Sequence, residues 1–234
     1  MRYLLLAAGE GTRLHPLTSM IPKCLFKLDN QLSVIDRMVD LIKKYDDTAE
    51  IIVVAGYMFE KLKEEVKDVV FVRNPFFSIT NSIASLWFAK DYLEGEVVII
   101  NADVVTEERL VKDYIVKSSK ESCVLIDSSV KVDGDYNVQI DGDKIVVMSK
   151  DLKEYFGEYV GITKIAKKDI NIFRNEICNM VNNGYYDQWY ENALVQLIFN
   201  SNFDLKYIDV KDYQWTEIDY VDDLIKAKKI HRGG

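Results

Sequence analysis

Leu6-Ala7-Ala8-Gly9-Glu10-Gly11-Thr12-Arg13-Leu14-His15-Pro16-Leu17-Thr18, followed by Pro22-Lys23-Cys24-Leu25, is the stretch whose reading decides the fold. The apolar run over residues 3–7 reads as a strand, and glycines at a strand end let successive backbone N–H groups turn toward a phosphate without steric penalty. Two familiar phosphate loops fail. A dinucleotide fingerprint needs a glycine three residues after Gly11, and a P-loop needs Gly-Lys-Ser/Thr starting five residues after Gly9, but Leu14 stands at both positions. What remains is a glycine loop that carries its own cation, Arg13, with Pro22-Lys23 shortly after. From Arg2 to Lys27 the chain has Arg2, Arg13, Lys23 and Lys27 against Glu10 alone, a positive island in a chain of net charge −8. Such an island suits a polyphosphate. A tight surface turn with scattered charge is the structural alternative, and the joint spacing of two glycines, Thr-Arg and Pro-Lys argues against it.

Working outward, the apolar periodicity predicts strands over residues 3–7, 50–55, 69–73, 97–101 and 123–127, alternating with helices over 34–45, 59–66, 82–93 and 107–118. This is the pattern of βαβ units on a mostly parallel sheet. From Val130 the pattern changes. Residues 136–140, an Asp141-Gly142 turn and residues 144–149 read as an antiparallel hairpin, followed by a strand over 158–165. Helices are predicted over 167–183 and 190–199, short strands over 205–210 and 215–218, an amphipathic closing helix over 220–230, and an unstructured tail over 231–234. The expected fold class is α/β: a Rossmann-like mixed, mostly parallel sheet flanked by helices, with a smaller second-half insertion over one edge. The whole chain, 1–234, is expected to be one domain. Residues 1–128 would be the nucleotide-binding core, 129–204 the acceptor-binding insertion, and 205–234 the closing strands and helix.

At 234 residues and 48% hydrophobic content the chain can bury a sizeable core, which excludes disorder as its main theme. The acidic balance argues against nucleic acid or anionic lipid as a partner. No run approaches the roughly 18 apolar residues that span a bilayer, and residues 1–6 are too short for a secretion signal, so no membrane insertion and a cytoplasmic location are expected. Cys24, Cys123 and Cys178 lack CxxC spacing, and only two histidines accompany them, so neither a disulfide framework nor a zinc site is expected.

Chemistry on a polyphosphate needs a divalent metal to offset its charge, and Mg²⁺ prefers one or two carboxylates plus phosphate oxygens. The run Val97-Val98-Ile99-Ile100 ends in Asn101-Ala102-Asp103, which sets Asp103 beyond the carboxyl end of a core strand, where open α/β sheets bind ligands. Trp215-Thr216-Glu217-Ile218-Asp219 ends another run before the last helix, so Asp219 is a candidate for the same metal. Each aspartate also has a purely structural alternative, as a turn or helix-capping residue.

The residues 6–18 and 22–25 together resemble the signature of the sugar-phosphate nucleotidylyltransferase superfamily. That resemblance implies a triphosphate bound by Leu6, Ala7, Ala8, Gly9, Glu10, Gly11, Thr12 and Arg13. It implies Arg13 on the β- and γ-phosphates, Lys23 on the α-phosphate and the attacking phosphate, and Mg²⁺ on Asp103 and Asp219. Residues 73–86, with Asn74, Asn81 and Ser82, are similar to the corresponding stretch of bacterial choline-phosphate cytidylyltransferases and their phosphonate-activating relatives, which implies cytosine as the base. Asn74, or Asn81 and Ser82 at a helix start, could read it, with capping as the structural alternative for the latter two.

The second half concentrates aromatics and carboxylates at Tyr186, Asp187, Trp189, Tyr190 and Glu191, with Glu158 and Trp215 as further candidates. Together with Lys23 these would form the acceptor pocket, caging a cationic head group. Aromatics at helical spacing are otherwise core residues. The expected partners are CTP and a small phosphorylated aminoalcohol or phosphonate, and a homodimer is left open. A sugar-1-phosphate nucleotidylyltransferase using another nucleotide is the second enzymatic reading. A catalytically silent nucleotide-binding subunit is the reading of another class.

Overall fold

The computed structural model describes residues 1–129, 136–201 and 203–233. Its strands are β1 (Arg2–Ala7), β2 (Glu50–Ala55), β3 (Val70–Arg73), β4 (Val97–Asn101), β5 (Val104–Thr106), β6 (Cys123–Asp127), β7 (Asn137–Asp141), β8 (Lys144–Ser149), β9 (Gly157–Ile165), β10 (Lys206–Asp209) and β11 (Trp215–Glu217). The helices are α1 (Val34–Tyr45), α2 (Phe59–Glu65), α3 (Ser82–Phe88), α4 (Glu108–Leu110), α5 (Ile170–Asn182), α6 (Glu191–Ser201) and α7 (Val221–Gly233). Nine strands form one sheet in the order β3-β2-β1-β4-β9-β6-β10-β8-β7. The first four pair in parallel, and the pairings make β9 and β8 the strands that run against the rest. The mixed α/β sheet expected from the alternation is thus the observed one.

Strands buried on both faces read as continuous apolar runs, and alternate residues feed two cores. Tyr3 and Leu5 point to the face covered by α1, while Leu4 points to the face covered by α3, α5 and α6. Helix α1 forms where it does because Ser33 and Asp36 make a reciprocal capping box, and Ile35, Met38, Val39 and Ile42 lie on its buried side. A third, smaller core beneath α7 joins Leu14, Phe26, Val105, Ile218 and Ile230. It ties the glycine loop to the end of the chain.

The structure departs from the sequence expectations in five places. Residues 129–204 do not all lie over an edge: the hairpin β7–β8 does, but β9 enters the middle of the sheet between β4 and β6, as its almost wholly buried pattern requires. The helix predicted over 107–118 is α4 followed by a π-helical turn, Val111–Ile115, and Lys164 Nζ donates to the carbonyls of Tyr114 and Lys117 at its end. The helix predicted over 82–93 stops at Phe88 and continues as a 3₁₀ turn, Lys90–Tyr92. The expected tail is helical through Gly233, because Arg37 Nε donates to His231 Nδ1 at 3.2 Å and His231 Nε2 lies 2.8 Å from Asp29 Oδ2. The fifth is β5, which no periodicity announced; it pairs as a short antiparallel ribbon with β11, which falls within the strand expected over 215–218. The change of pattern at Val130 and the last residue, Gly234, lie outside the described residues.

That ribbon sits beside a glycine that cannot be replaced without cost. Gly161 has φ +78°, and a Cβ there would meet Val104 Cγ2 at 2.9 Å and Asn101 Nδ2 at 3.0 Å. Gly161→Ala is expected to lower the free energy of unfolding by about 1–3 kcal/mol in urea titrations. An unchanged midpoint would contradict the close packing of β9 on β5.

Candidate active site

The carboxyl ends of β1 and β4 lie side by side in parallel and open into a cleft of about 280 Å³. Leu6, Ala7, Ala8, Gly9 and Arg13 line it from the glycine loop. The loop's shape depends on Gly11, whose φ of +64° starts a 3₁₀ turn over Thr12–Leu14, and Thr18 Oγ1 donates to the Gly11 carbonyl at 2.9 Å. Glu10, Gly11 and Thr12 build this turn but do not line the cleft wall.

Asp103 and Asp219, distant in sequence, meet through the ribbon. Val104 pairs with Glu217, and the Ile218 N–H donates to the Asp103 carbonyl at 3.1 Å, so the residues on either side of that bond enter the cleft together. Lys23 bridges them: its Nζ contacts Asp103 Oδ2 and lies 3.1 Å from Asp219 Oδ1. Arg13 Nη1 donates to Asp219 Oδ2 at 2.8 Å. Burial works against the Lys23 ammonium, but the carboxylates of Asp103 and Asp219 outweigh it and hold its pKa above the ordinary lysine range. Two cations and two carboxylates therefore meet at one spot, with Asp103 buried and Arg13 on its exposed side. Among the described residues no group of three or more His, Cys, Asp or Glu is placed to hold a metal. The pair still fits Mg²⁺, whose remaining positions phosphate oxygens and water can fill, and Asp103 Oδ1 is buried without a hydrogen-bond partner.

Asn74, just after β3, and Asn81 and Ser82 at the start of α3 form another wall of the cleft. Asn74 is fully engaged, its Nδ2 donating to Thr80 Oγ1 and Ser85 Oγ and its Oδ1 accepting from the Phe76 N–H. Asn81 caps α3 by accepting from the Ser82 N–H at 2.8 Å. Residues 81–83 are fastened to residues 186–190: the Asn81 N–H donates to the Tyr186 carbonyl, the Ile83 N–H to the Gln188 carbonyl, and the Tyr190 N–H to Ser82 Oγ. This lacing delivers Trp189 and Glu191 to the same cleft.

The other residues anticipated for an acceptor pocket go elsewhere. Tyr190 is fully buried, and its hydroxyl bonds Tyr159 at 2.5 Å and Thr163 at 3.0 Å. Trp215 is core, its Nε1 donating to Asp127 Oδ2 at 2.8 Å. Glu158 pairs along β9 with Asp127 and Asn137, and Tyr186 and Asp187 are exposed outside the cleft. Lys150, Asn101 and Glu217 line the cleft and were not anticipated. Asn101 and Glu217 stand two residues before each aspartate, the period at which side chains share a strand face, and this spacing was the signal available. Lys150 follows a hairpin strand and had none.

Glu191 is buried with Oε2 unpartnered, and desolvation pushes its pKa up to about 7, opposed by the charge of Lys150.

Comparison with known proteins places this geometry in context. The family profile described as Nucleotidyl transferase matches residues 2–138. The chain is 25% identical to the CTP:phosphoglutamine cytidylyltransferase of Campylobacter jejuni subsp. jejuni serotype O:2, over 96% of this chain and 98% of that one. It is 27% identical to the choline-phosphate cytidylyltransferase of Streptococcus pneumoniae, over 98% of each. The solved structure of the CTP:phosphocholine cytidylyltransferase from Streptococcus pneumoniae superposes with a TM-score of 0.75 at 23% identity, covering 98% of both chains.

A carboxyl group whose folded pKa is raised contributes stability that is present below its unfolded value, near 4.5, and lost as pH rises through about 7. Relative to Glu191→Gln, the wild-type protein should therefore lose about 3 kcal/mol of unfolding free energy between pH 4.5 and 7.5. Parallel stability curves for the two proteins would contradict the burial of an ionisable Glu191.

Proposed function

Because the chain belongs to the nucleotidyl transferase family, we propose that it is a Mg²⁺-dependent cytidylyltransferase. It transfers CMP from CTP to a small acceptor with a phosphate or phosphonate at one end and a polar nitrogen at the other. The observation that carries the reading is the convergence of Arg13, Lys23, Asp103 and Asp219 beside the glycine loop. The choice of cytosine rests on two relatives, matched over nearly their whole length, whose names specify cytidylyl transfer.

In the reaction, an acceptor oxygen attacks the α-phosphorus of CTP, the bond from that phosphorus to the oxygen bridging to the β-phosphate breaks, and pyrophosphate leaves with the electron pair. The attacking oxygen is already anionic at neutral pH, so no general base is needed, and catalysis is positioning and charge neutralisation. Lys23 holds the attacking phosphate against the α-phosphate, and Arg13 holds the β- and γ-phosphates over residues 9–13. Mg²⁺ on Asp103 and Asp219, when bound, offsets the charge that builds on the phosphate oxygens. Asn74 frames residues 76–85, since its own amide is engaged. Reading of the base falls to Asn81 and Ser82. On this reading residues 1–128 bind the nucleotide, 129–204 supply the acceptor side, and 205–234 return Asp219 to the metal.

Pyrophosphate release should be fastest with CTP when CTP, UTP, GTP and dTTP are compared across small phosphorylated acceptors and sugar-1-phosphates. A clear preference for another nucleotide with a sugar-1-phosphate would overturn the reading. Lys23→Ala should cost at least about 100-fold in kcat, judged from comparable charge-stabilising groups, while the protein stays folded by circular dichroism. A near-normal rate in that variant would remove Lys23 from the chemistry.

A further inference from the structure

One wall of the cleft is built from Lys150, just after β8, and from Trp189 and Glu191 at the start of α6. Lys150 Nζ sits 4.0 Å from the centre of the Trp189 indole ring. An aromatic face in a cleft is where an external cation would be held. In this protein the chain's own ammonium covers it. Glu191, 5% exposed, lines the same cleft, and its Oε2 is buried without a hydrogen-bond partner. A buried polar atom left in that state is unfavourable, and a ligand N–H or O–H would satisfy it.

These two observations constrain the acceptor from opposite directions. A quaternary ammonium has no N–H to give Glu191 and meets the positive charge of Lys150 where it would seek the indole. A head group that carries an N–H or O–H donor beside a carboxylate or amide oxygen satisfies both residues at once: the donor reaches Glu191 and the oxygen accepts from Lys150. Resting on the nucleotidyl-transfer reading, we infer that Lys150 and Glu191 read the head group of the acceptor and select such a compound over a quaternary ammonium. Lys150 contributes selection in both senses, attracting an oxygen and excluding a permanent cation.

The test compares phosphoserine, phosphoethanolamine and phosphocholine as acceptors for the full chain with Mg²⁺. Phosphoserine has both an ammonium and a carboxylate, phosphoethanolamine lacks the carboxylate, and phosphocholine also lacks every N–H. The expected order of kcat/KM is phosphoserine, then phosphoethanolamine, then phosphocholine, with at least about tenfold between the first and last. Lys150→Ala should lower kcat/KM for phosphoserine about tenfold and raise it for phosphocholine, whereas Lys150→Arg should keep the wild-type order. Wild-type preference for phosphocholine, or an equal loss for all three compounds in Lys150→Ala, would overturn the inference. Each rate is read with CTP, UTP, GTP and dTTP, so that a failure of the cytosine reading is seen separately from a failure of head-group selection. Should no nucleotide support turnover, calorimetric titration of the same compounds decides: tighter phosphoserine supports the selection, and equal or tighter phosphocholine overturns it.

Discussion

The bond from the Ile218 N–H to the Asp103 carbonyl, 3.1 Å long at the end of the β5–β11 ribbon, is the constraint on which the site depends. It brings two carboxylates 116 residues apart in sequence to one lysine, Lys23, which the glycine loop's own neighbourhood supplies. Like-charged carboxylates brought this close are unfavourable without a cation between them, and Lys23 with Arg13 provides it. The site is thus assembled with its charges paired, and the same carboxylates and cations are the groups that a metal and a polyphosphate would engage in the opposite combination. On the proposed function, binding would exchange partners within a fixed frame and keep reorganisation small.

The far wall of the cleft is fixed by a second device. Three hydrogen bonds lace residues 81–83 to residues 186–190, so these two walls of the cleft cannot move independently without breaking them. Behind the lacing, Tyr190, Tyr159 and Thr163 form a buried hydroxyl cluster that anchors the start of α6 and hence Glu191. The position of Glu191 in the cleft therefore follows from packing in the core rather than from side chains in the cleft alone.

Much of this was legible in the sequence, for physical reasons that differ by element. Strands β1, β2, β4 and β6 are continuous apolar runs bounded by turn residues, and these patterns mark a doubly covered sheet. The first helix is bounded by its own capping box. Of the β5–β11 ribbon, β11 falls within the strand expected over 215–218, but β5 was hidden because a three-residue strand carries no periodicity and its partner lies far along the chain. Tyr190 and Trp215 were read toward the acceptor because aromatic composition does not reveal which face a ring occupies. In the fold both find hydroxyl or carboxylate partners inside the core. Lys150 was missed for the converse reason: a single lysine after a hairpin strand becomes informative only when its distance to Trp189 is known.

The central claim is that Asp103 and Asp219 exchange Lys23 for a metal shared with the triphosphate. Anomalous scattering from Mn²⁺ in crystals grown with CTP tests it most directly. The account predicts a single Mn²⁺ peak contacting both carboxylates and a phosphate oxygen, with Lys23 Nζ moved onto the phosphates. Density showing the metal away from either aspartate, or Lys23 still bridging the two carboxylates beside a bound nucleotide, would contradict it.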